Sequence, residues 1–505
     1  MKSVASESSL PKRHAQAAWA DPRAWRLLPL ETYPAAVAFV QTIPGKLTLF
    51  AVFAAFMKLH AIEGWVAGRA TWLILTVVAA VVSVAGRYRY YVLLVGAGIL
   101  LARNPTWLDF DAVETVLRQE YLYGIFHLGT LRAATLIACV PLAILLIYLA
   151  RCFRNHPLGR APVLVQHVVY ACLLGLATSG VLEDYVQVAT WSLLATFSAY
   201  FWYLAYALID QRRREPAPMV LHLATFNPFA WPTLVPMGKG AANWRSLEAT
   251  TPEELAVTQL KAVKLLVWAL LLSGILSAFR WSVYVELGIP ELKVAFDHFL
   301  QGKYAPTPFS LVSVLASLPE RLLLIAIMGH IIIATARLAG FRLLRNTYRP
   351  LSSRTIAEFW NRYVYYFKEI LVHVYFYPTF LRCFKRHPRL RIAFATLMAA
   401  GIGNFLFHFL MQTPSIAKYG FVEAVVRMQT YAFYCLLLSA GIIVSQLRAR
   451  RPAPDAGWLR YQFFPSLGVA AFFCFLSFFD GPQRHVSLAQ HFEFLALSFG
   501  IAHLF

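Results

Sequence analysis

Charge is what this 505-residue chain has least of. Asp, Glu, Lys and Arg make up 14% of it, against about 25% in soluble globular proteins. Such scarcity excludes an ordinary soluble enzyme, a disordered chain and a collagen-like repeat. Cysteine is sparse too. Cys139, Cys152, Cys172, Cys383, Cys435 and Cys474 include no CxxC pair, so neither a disulfide framework nor a zinc site is indicated. No HExxH or comparable metal spacing occurs, which disfavours metal catalysis. The N-terminal stretch has neither the apolar core nor the cleavage site of a signal peptide, and residues 1–45 read as a cytoplasmic tail leading into an interfacial segment. No internal repeat is visible. Gly238-Lys239-Gly240 is not a phosphate loop, because the preceding glycine and the following Ser/Thr spacing are missing.

Apolar residues, by contrast, reach 59%, and mean hydropathy is +0.57. The chain reads as an all-α polytopic membrane protein, with residues 46–505 forming one multi-span domain. Runs long enough to cross a bilayer fall near 46–64, 69–86, 90–103, 131–150, 162–182, 188–208, 262–284, 319–339, 391–412, 424–446, 462–480 and 488–505, predicting about 12 transmembrane helices. The formal charge of +21 comes from 46 Lys and Arg against 25 Asp and Glu. These basic residues sit in short clusters between apolar runs: Arg87/Arg89, Arg151–Arg160, Arg212–Arg214, Arg337–Arg349, Arg382–Arg391 and Arg448–Arg451. That is the pattern of cytoplasmic loops. No folded basic domain remains to bind nucleic acid.

With one exception, two spans separate each basic cluster from the next, which places both termini in the cytoplasm. The exception is informative. Between Arg337–Arg349 and Arg382–Arg391 lies a single apolar-aromatic stretch, 359–381, with Lys368 and Glu369 in its middle. A charge pair at the bilayer centre is costly, so this stretch is expected to be re-entrant or interfacial. The longest polar stretch, 209–258, carries six prolines and reads as a cytoplasmic loop.

Among the 14 histidines, His167, His330, His373 and His408 fall within membrane-type segments, where a polar side chain is a functional candidate by default. His408 follows Asn404 by four residues, so on a helix the two share a face. Gly401 and Gly403 allow close backbone approach one turn earlier. An imidazole there can take a hydroxyl proton while the amide orients it or a bound carbonyl. The same residues also suit a simple interhelical Asn–His contact, and chemistry alone leaves both open.

The stretch Tyr348-Arg349-Pro350-Leu351-Ser352-Ser353-Arg354-Thr355-Ile356-Ala357-Glu358-Phe359-Trp360-Asn361-Arg362-Tyr363 resembles the signature of the membrane-bound O-acyltransferases, the MBOAT family. In the bacterial branch that decorates cell-envelope polymers, the signature reads Arg-Pro, a short polar run, then Phe-Trp-x-Arg-Trp-His, followed by a Tyr-Ile-Pro element. The nearest counterpart of that element here is Tyr377-Pro378. The resemblance covers 349–410. Val364 stands where the family has the histidine after Arg-Trp. Asn404 stands where a gap-free reading puts its most invariant histidine, with His408 one turn later.

The resemblance implies transfer of an acyl group from a cytoplasmic thioester, acyl-coenzyme A or an acyl-carrier protein, to a hydroxyl or amine acceptor. It implies no bound cofactor. His408 would be the general base and Asn404 its partner. Arg349, Asn361 and Arg362 would be structural or face the thioester, and His373 would be an auxiliary polar residue of the substrate site. Trp360, Tyr363, Tyr365, Tyr366, Tyr375 and Tyr377 would line the passage, although such an aromatic band also suits an interfacial belt. A transporter or flippase, and a catalytically silent MBOAT-like partner in an envelope assembly, are the competing readings. Compact loops favour a bacterial inner membrane as the location, with membrane lipid as the surrounding partner.

Overall fold

The computed structural model describes residues 29–60, 70–103, 108–156, 158–303, 307–448, 457–481, 483 and 485–501. The chain is an all-α polytopic membrane protein. Seven helices among these residues are long and apolar enough to span a bilayer: Leu128–Cys152, Asp184–Asp210, Pro252–Glu286, Pro308–Leu338, Pro388–Tyr419, Phe421–Leu447 and Leu459–Phe479. An eighth span results if Pro34–Gln41 and Ile43–Leu59, bent by 93° at Thr42, count as one.

About 12 crossings were expected, and the difference lies in length. The runs at 69–86, 90–103, 162–182 and 488–505 contain the helices Thr71–Val84, Arg89–Arg103, Pro162–Ala177 and Leu488–Ser498. At 1.5 Å per residue these reach roughly 16–24 Å, short of a ~30 Å hydrocarbon core.

Local signals explain where the helices begin. Thr251 accepts from Glu254 N at 3.1 Å, and Glu254 Oε2 accepts from Thr250 N, with Pro252 in the first turn. Thr355 and Glu358 repeat this reciprocal cap, Thr355 Oγ1 accepting from Glu358 N and Glu358 Oε2 from Arg354 N at 2.8 Å.

Burial then sorts the helices. In Leu128–Cys152 only 6% of the apolar window is buried, whereas in Asp184–Asp210 the share is 78%. The first is an outer helix with an apolar surface, and the second is central. One apolar core joins the N-terminal helices to Pro252–Glu286 and Pro308–Leu338. A second surrounds Asp184–Asp210 and takes in Phe407 and Leu410. A third gathers Phe359, Trp360, Tyr363, Ala399, Ala400, Tyr431, Tyr434 and the C-terminal helices. The helix Pro388–Tyr419 runs between the last two.

The stretch expected to be re-entrant, 359–381, is neither a continuous span nor a loop. It is a chain of short helices, Ile356–Tyr363, Tyr365–Leu371, a π-helical turn Val372–Phe376, and Tyr377–Arg382. The first break is at Val364, which leaves helical backbone at φ −134° and ψ 71°. The carbonyls freed at the break are taken up by the preceding segment: Tyr348 N donates to Arg362 O at 2.8 Å, and Thr347 Oγ1 to Tyr363 O at 2.7 Å. Irregular backbone in a membrane protein is tolerated when protein covers it in this way.

Candidate functional site

Two π-helical turns pack against each other at the centre of the signature region, Val372–Phe376 and Leu397–Gly403. Such turns widen a helix locally and recur at functional sites. Gly403 makes the approach possible, since a Cβ there would lie 2.4 Å from the ring of Tyr375. The hydroxyl of Tyr375 is 2.8 Å from His167 Nε2. His167 Nδ1 lies 2.6 Å from Val163 O. A carbonyl can only accept, so Nδ1 carries the proton and Nε2 accepts from the tyrosine.

Asn404 follows Gly403 directly and is fully buried. Its Oδ1 accepts from Tyr431 Oη at 2.9 Å. Its Nδ2 is buried and finds no hydrogen-bond partner among the described residues. His408, one turn on and half-buried, has its ring 4.4 Å from that of Tyr431 and 5.9 Å from Phe367. Asn404 and His408 therefore share a face, as their spacing predicts, and Tyr431 is their common neighbour. Phe367 also meets Trp360 at 5.9 Å, which ties the signature segment to the histidine helix.

A cavity of about 330 Å³ adjoins this group, lined by Gln412, Ser415, Tyr419, Arg427, Tyr431 and His485. It lies beyond His408 toward the C-terminal end of the helix Pro388–Tyr419. At the opposite end, Arg386, His387 and Arg389 line a more open recess.

The other expected site residues divide. Trp360 and Tyr363 are buried in the third core, with Tyr363 close to Arg321 and Asp480, an ion pair of 2.7 Å. Arg349 and Asn361 are exposed and are not brought to His408. Arg362 holds the segment together, its guanidinium reaching Ser352 Oγ at 2.7 Å and Glu358 at 2.6 Å. His373 donates Nδ1–H to Glu369 O at 2.8 Å and stands among Tyr206 and Tyr377. His330 is bonded to Ala326 O in its own helix. Tyr431 was missed from the sequence, and Tyr375 was expected only as a lining residue. Aromatic residues in apolar runs carry no local mark of a polar role. Among the described residues, no group of three or more His, Cys, Asp or Glu is placed to hold a metal ion.

In comparisons with known proteins, no protein-family model and no curated protein matches the chain.

Proposed function

We propose that this protein is a membrane acyltransferase of MBOAT type, with His408 as general base and Asn404 as oxyanion donor. The observation that carries the reading is the amide of Asn404, whose donor is buried without a partner beside His408. A buried donor left unpaired costs roughly 1–3 kcal/mol, a cost that active sites sustain when the donor serves a reacting group. In the proposed reaction His408 takes the proton of the acceptor hydroxyl, whose oxygen attacks the thioester carbonyl. The developing oxyanion takes an N–H from Asn404. The C–S bond then breaks, and the imidazolium returns its proton to the leaving thiolate.

Three features support this assignment. The signature segment packs against the histidine helix through Trp360 and Phe367. A polar cavity adjoins Tyr431. The Arg386–Arg389 recess lies at the other end of the same helix, suited to an anionic acyl-coenzyme A or acyl-carrier protein arriving from the cytoplasm. The proposed topology keeps both termini in the cytoplasm of a bacterial inner membrane and counts the four shorter helices as crossings, which requires the bilayer to thin locally around them. Mass spectrometry of envelope lipids and polymers, from cells with and without the gene and with His408→Ala, tests the reading. An acyl group lost in both altered strains supports it. Identical envelopes in all three would overturn it.

One observation favours the silent-partner reading. The position where the family's histidine falls, Asn404, is sealed at 0% exposure. If Tyr431 only pins that amide, the chain is a scaffold, and no purified preparation will release thiol from an acyl thioester.

A further inference from the structure

Two partly buried lysines flank one buried glutamate where the polar segment 209–258 meets the broken helix after the signature. Lys239 Nζ lies 2.5 Å from Glu369 Oε2, and Lys368 Nζ pairs with Glu369 Oε1. The three side chains are 20%, 15% and 12% exposed. Both ammonium groups also face the ring of Tyr365, at 5.5 Å and 5.0 Å. One carboxylate shared between two ammonium groups leaves a surplus positive charge. Charge in such a place calls for further compensation.

A second, independent feature sits beside the first. Tyr206 is buried, and its hydroxyl has no hydrogen-bond partner among the described residues. It is close enough to Glu369 and Tyr365 to interact electrostatically with both, and its ring is 6.1 Å from His373. An unused donor thus adjoins the carboxylate that the two lysines share.

The backbone places Lys239 deliberately. Gly238 and Lys239 both adopt left-handed conformations, with φ +83° and +66°. A Cβ on Gly238 would lie 2.6 Å from the Trp244 indole nitrogen, and one on Gly240 3.0 Å from Tyr206 Cβ. The turn is pressed into the protein on both sides of its lysine, and a non-glycine residue in this conformation is strained. The sequence denies Gly238-Lys239-Gly240 the pattern of a phosphate loop, yet the fold brings its lysine to a second lysine and a free phenol.

We propose that Lys239, Lys368 and Tyr206 form a binding site for a phosphate ester, with Glu369 as the internal counter-ion that holds the two lysines in its absence. A singly charged phosphodiester would bring the cluster to neutrality. Lysine ammonium groups act on phosphate as point charges, without the planar fork by which arginine selects carboxylates. The phosphate can belong to a soluble molecule or to a lipid headgroup. The site does not depend on acyl transfer, and binding is read without turnover.

The test uses the full chain in a phosphate-free maltoside detergent. Coenzyme A is titrated as the soluble probe and pantetheine as its phosphate-free control. Phosphatidylglycerol retention is followed by native mass spectrometry as the lipid probe. Whichever phosphate probe binds identifies the source. Lys239→Gln and Lys368→Gln should each weaken that probe by about 10–100-fold, the worth of a charged hydrogen bond. Glu369→Gln should tighten it, because removing the counter-ion leaves two positive charges. Opposite signs for lysine and glutamate variants are the signature of a binding site. Weakening by all three in folded protein would make the cluster a structural ion pair and overturn the proposal. Binding unaffected by either lysine would do the same. Should variants fail to fold, inorganic phosphate must displace the bound probe from the wild-type chain, and failure to displace it refutes the site.

Discussion

Tyr431 offers the sharpest test of the catalytic assignment, because its hydroxyl and its ring do different things. The hydroxyl donates to Asn404 Oδ1 at 2.9 Å, and the ring packs at 4.4 Å against His408. Tyr431→Phe keeps the ring and deletes the bond, leaving a buried carbonyl oxygen without its donor, at a cost of roughly 1–3 kcal/mol in stability. Asn404→Leu removes the amide and deprives the Tyr431 hydroxyl of that acceptor, at a similar cost. Together the two changes replace a polar pair with an apolar one of similar volume, which is close to neutral. The cycle should therefore show a coupling of about 2–6 kcal/mol, the sum of the two single costs, in the thermal unfolding of the purified chain. Activity should follow a different pattern. If Asn404 supplies the oxyanion donor, Asn404→Leu and the double variant both lose about 100-fold in thiol release from an acyl-coenzyme A supplied with envelope acceptor. Tyr431→Phe, which keeps the amide but not its anchor, should lose about 10-fold, or roughly 1.4 kcal/mol. A double variant that regains stability yet transfers acyl groups like the wild type would refute the donor role outright.

Four further outcomes are expected. His408→Ala should lower transfer by about 10²–10⁴-fold while the protein still inserts, and wild-type turnover in an inserted variant sinks the base assignment. Cysteines placed at Leu344 and Phe384, which are 54% and 42% exposed and flank the broken helix, should be labelled from the same membrane face; labelling from opposite faces would make 356–382 a crossing. In the polar segment, burial holds His222 below the ordinary imidazole range, against the opposing pull of Asp210, 3.4 Å away. The unfolded chain therefore takes up this proton first, so the contribution of His222 to stability is complete above about pH 6.5 and is lost as pH falls; His222→Gln should flatten that part of the stability–pH curve. Gly403→Ala should lower both melting temperature and activity, since its Cβ meets the Tyr375 ring at 2.4 Å, and an unchanged melting temperature would show that the two π-helical turns can part.

Membrane character and helical class were legible because they depend on composition and run length, which are local. Helix length was less so. Hydropathy extends the run at 162–182 past the point where Ala177 ends the helix at Thr178, because apolar residues in a turn score like apolar residues in a span. Lys368 and Glu369 marked 359–381 as unsuited to a plain crossing, and a broken helix is present there. The third member of that charge group, Lys239, comes from a different segment. Its pairing depends on how the polar stretch folds back, which no pattern within either segment encodes.

The candidate site shows the same division between what spacing fixes and what packing adds. The i, i+4 spacing of Asn404 and His408 fixes a common face as soon as the segment is helical. Gly403 announced a close approach but not that Tyr375 would fill it. Tyr431 had no mark at all, since its role exists only because the helix Phe421–Leu447 is laid against Pro388–Tyr419. Arg362 spends its guanidinium on Ser352 and Glu358, and Asn361 is exposed. Trp360 and Tyr363, less conspicuous as chemistry, are the ones buried in the core that reaches Tyr431. In an apolar bundle a charged side chain is drawn to the polar edge and to its nearest counter-charge, whereas an aromatic one can carry a single hydroxyl inward at little cost. For that reason the polar centre of this protein is built from tyrosines, with Tyr431 on the Asn404 amide and the His408 ring and Tyr375 on the His167 imidazole.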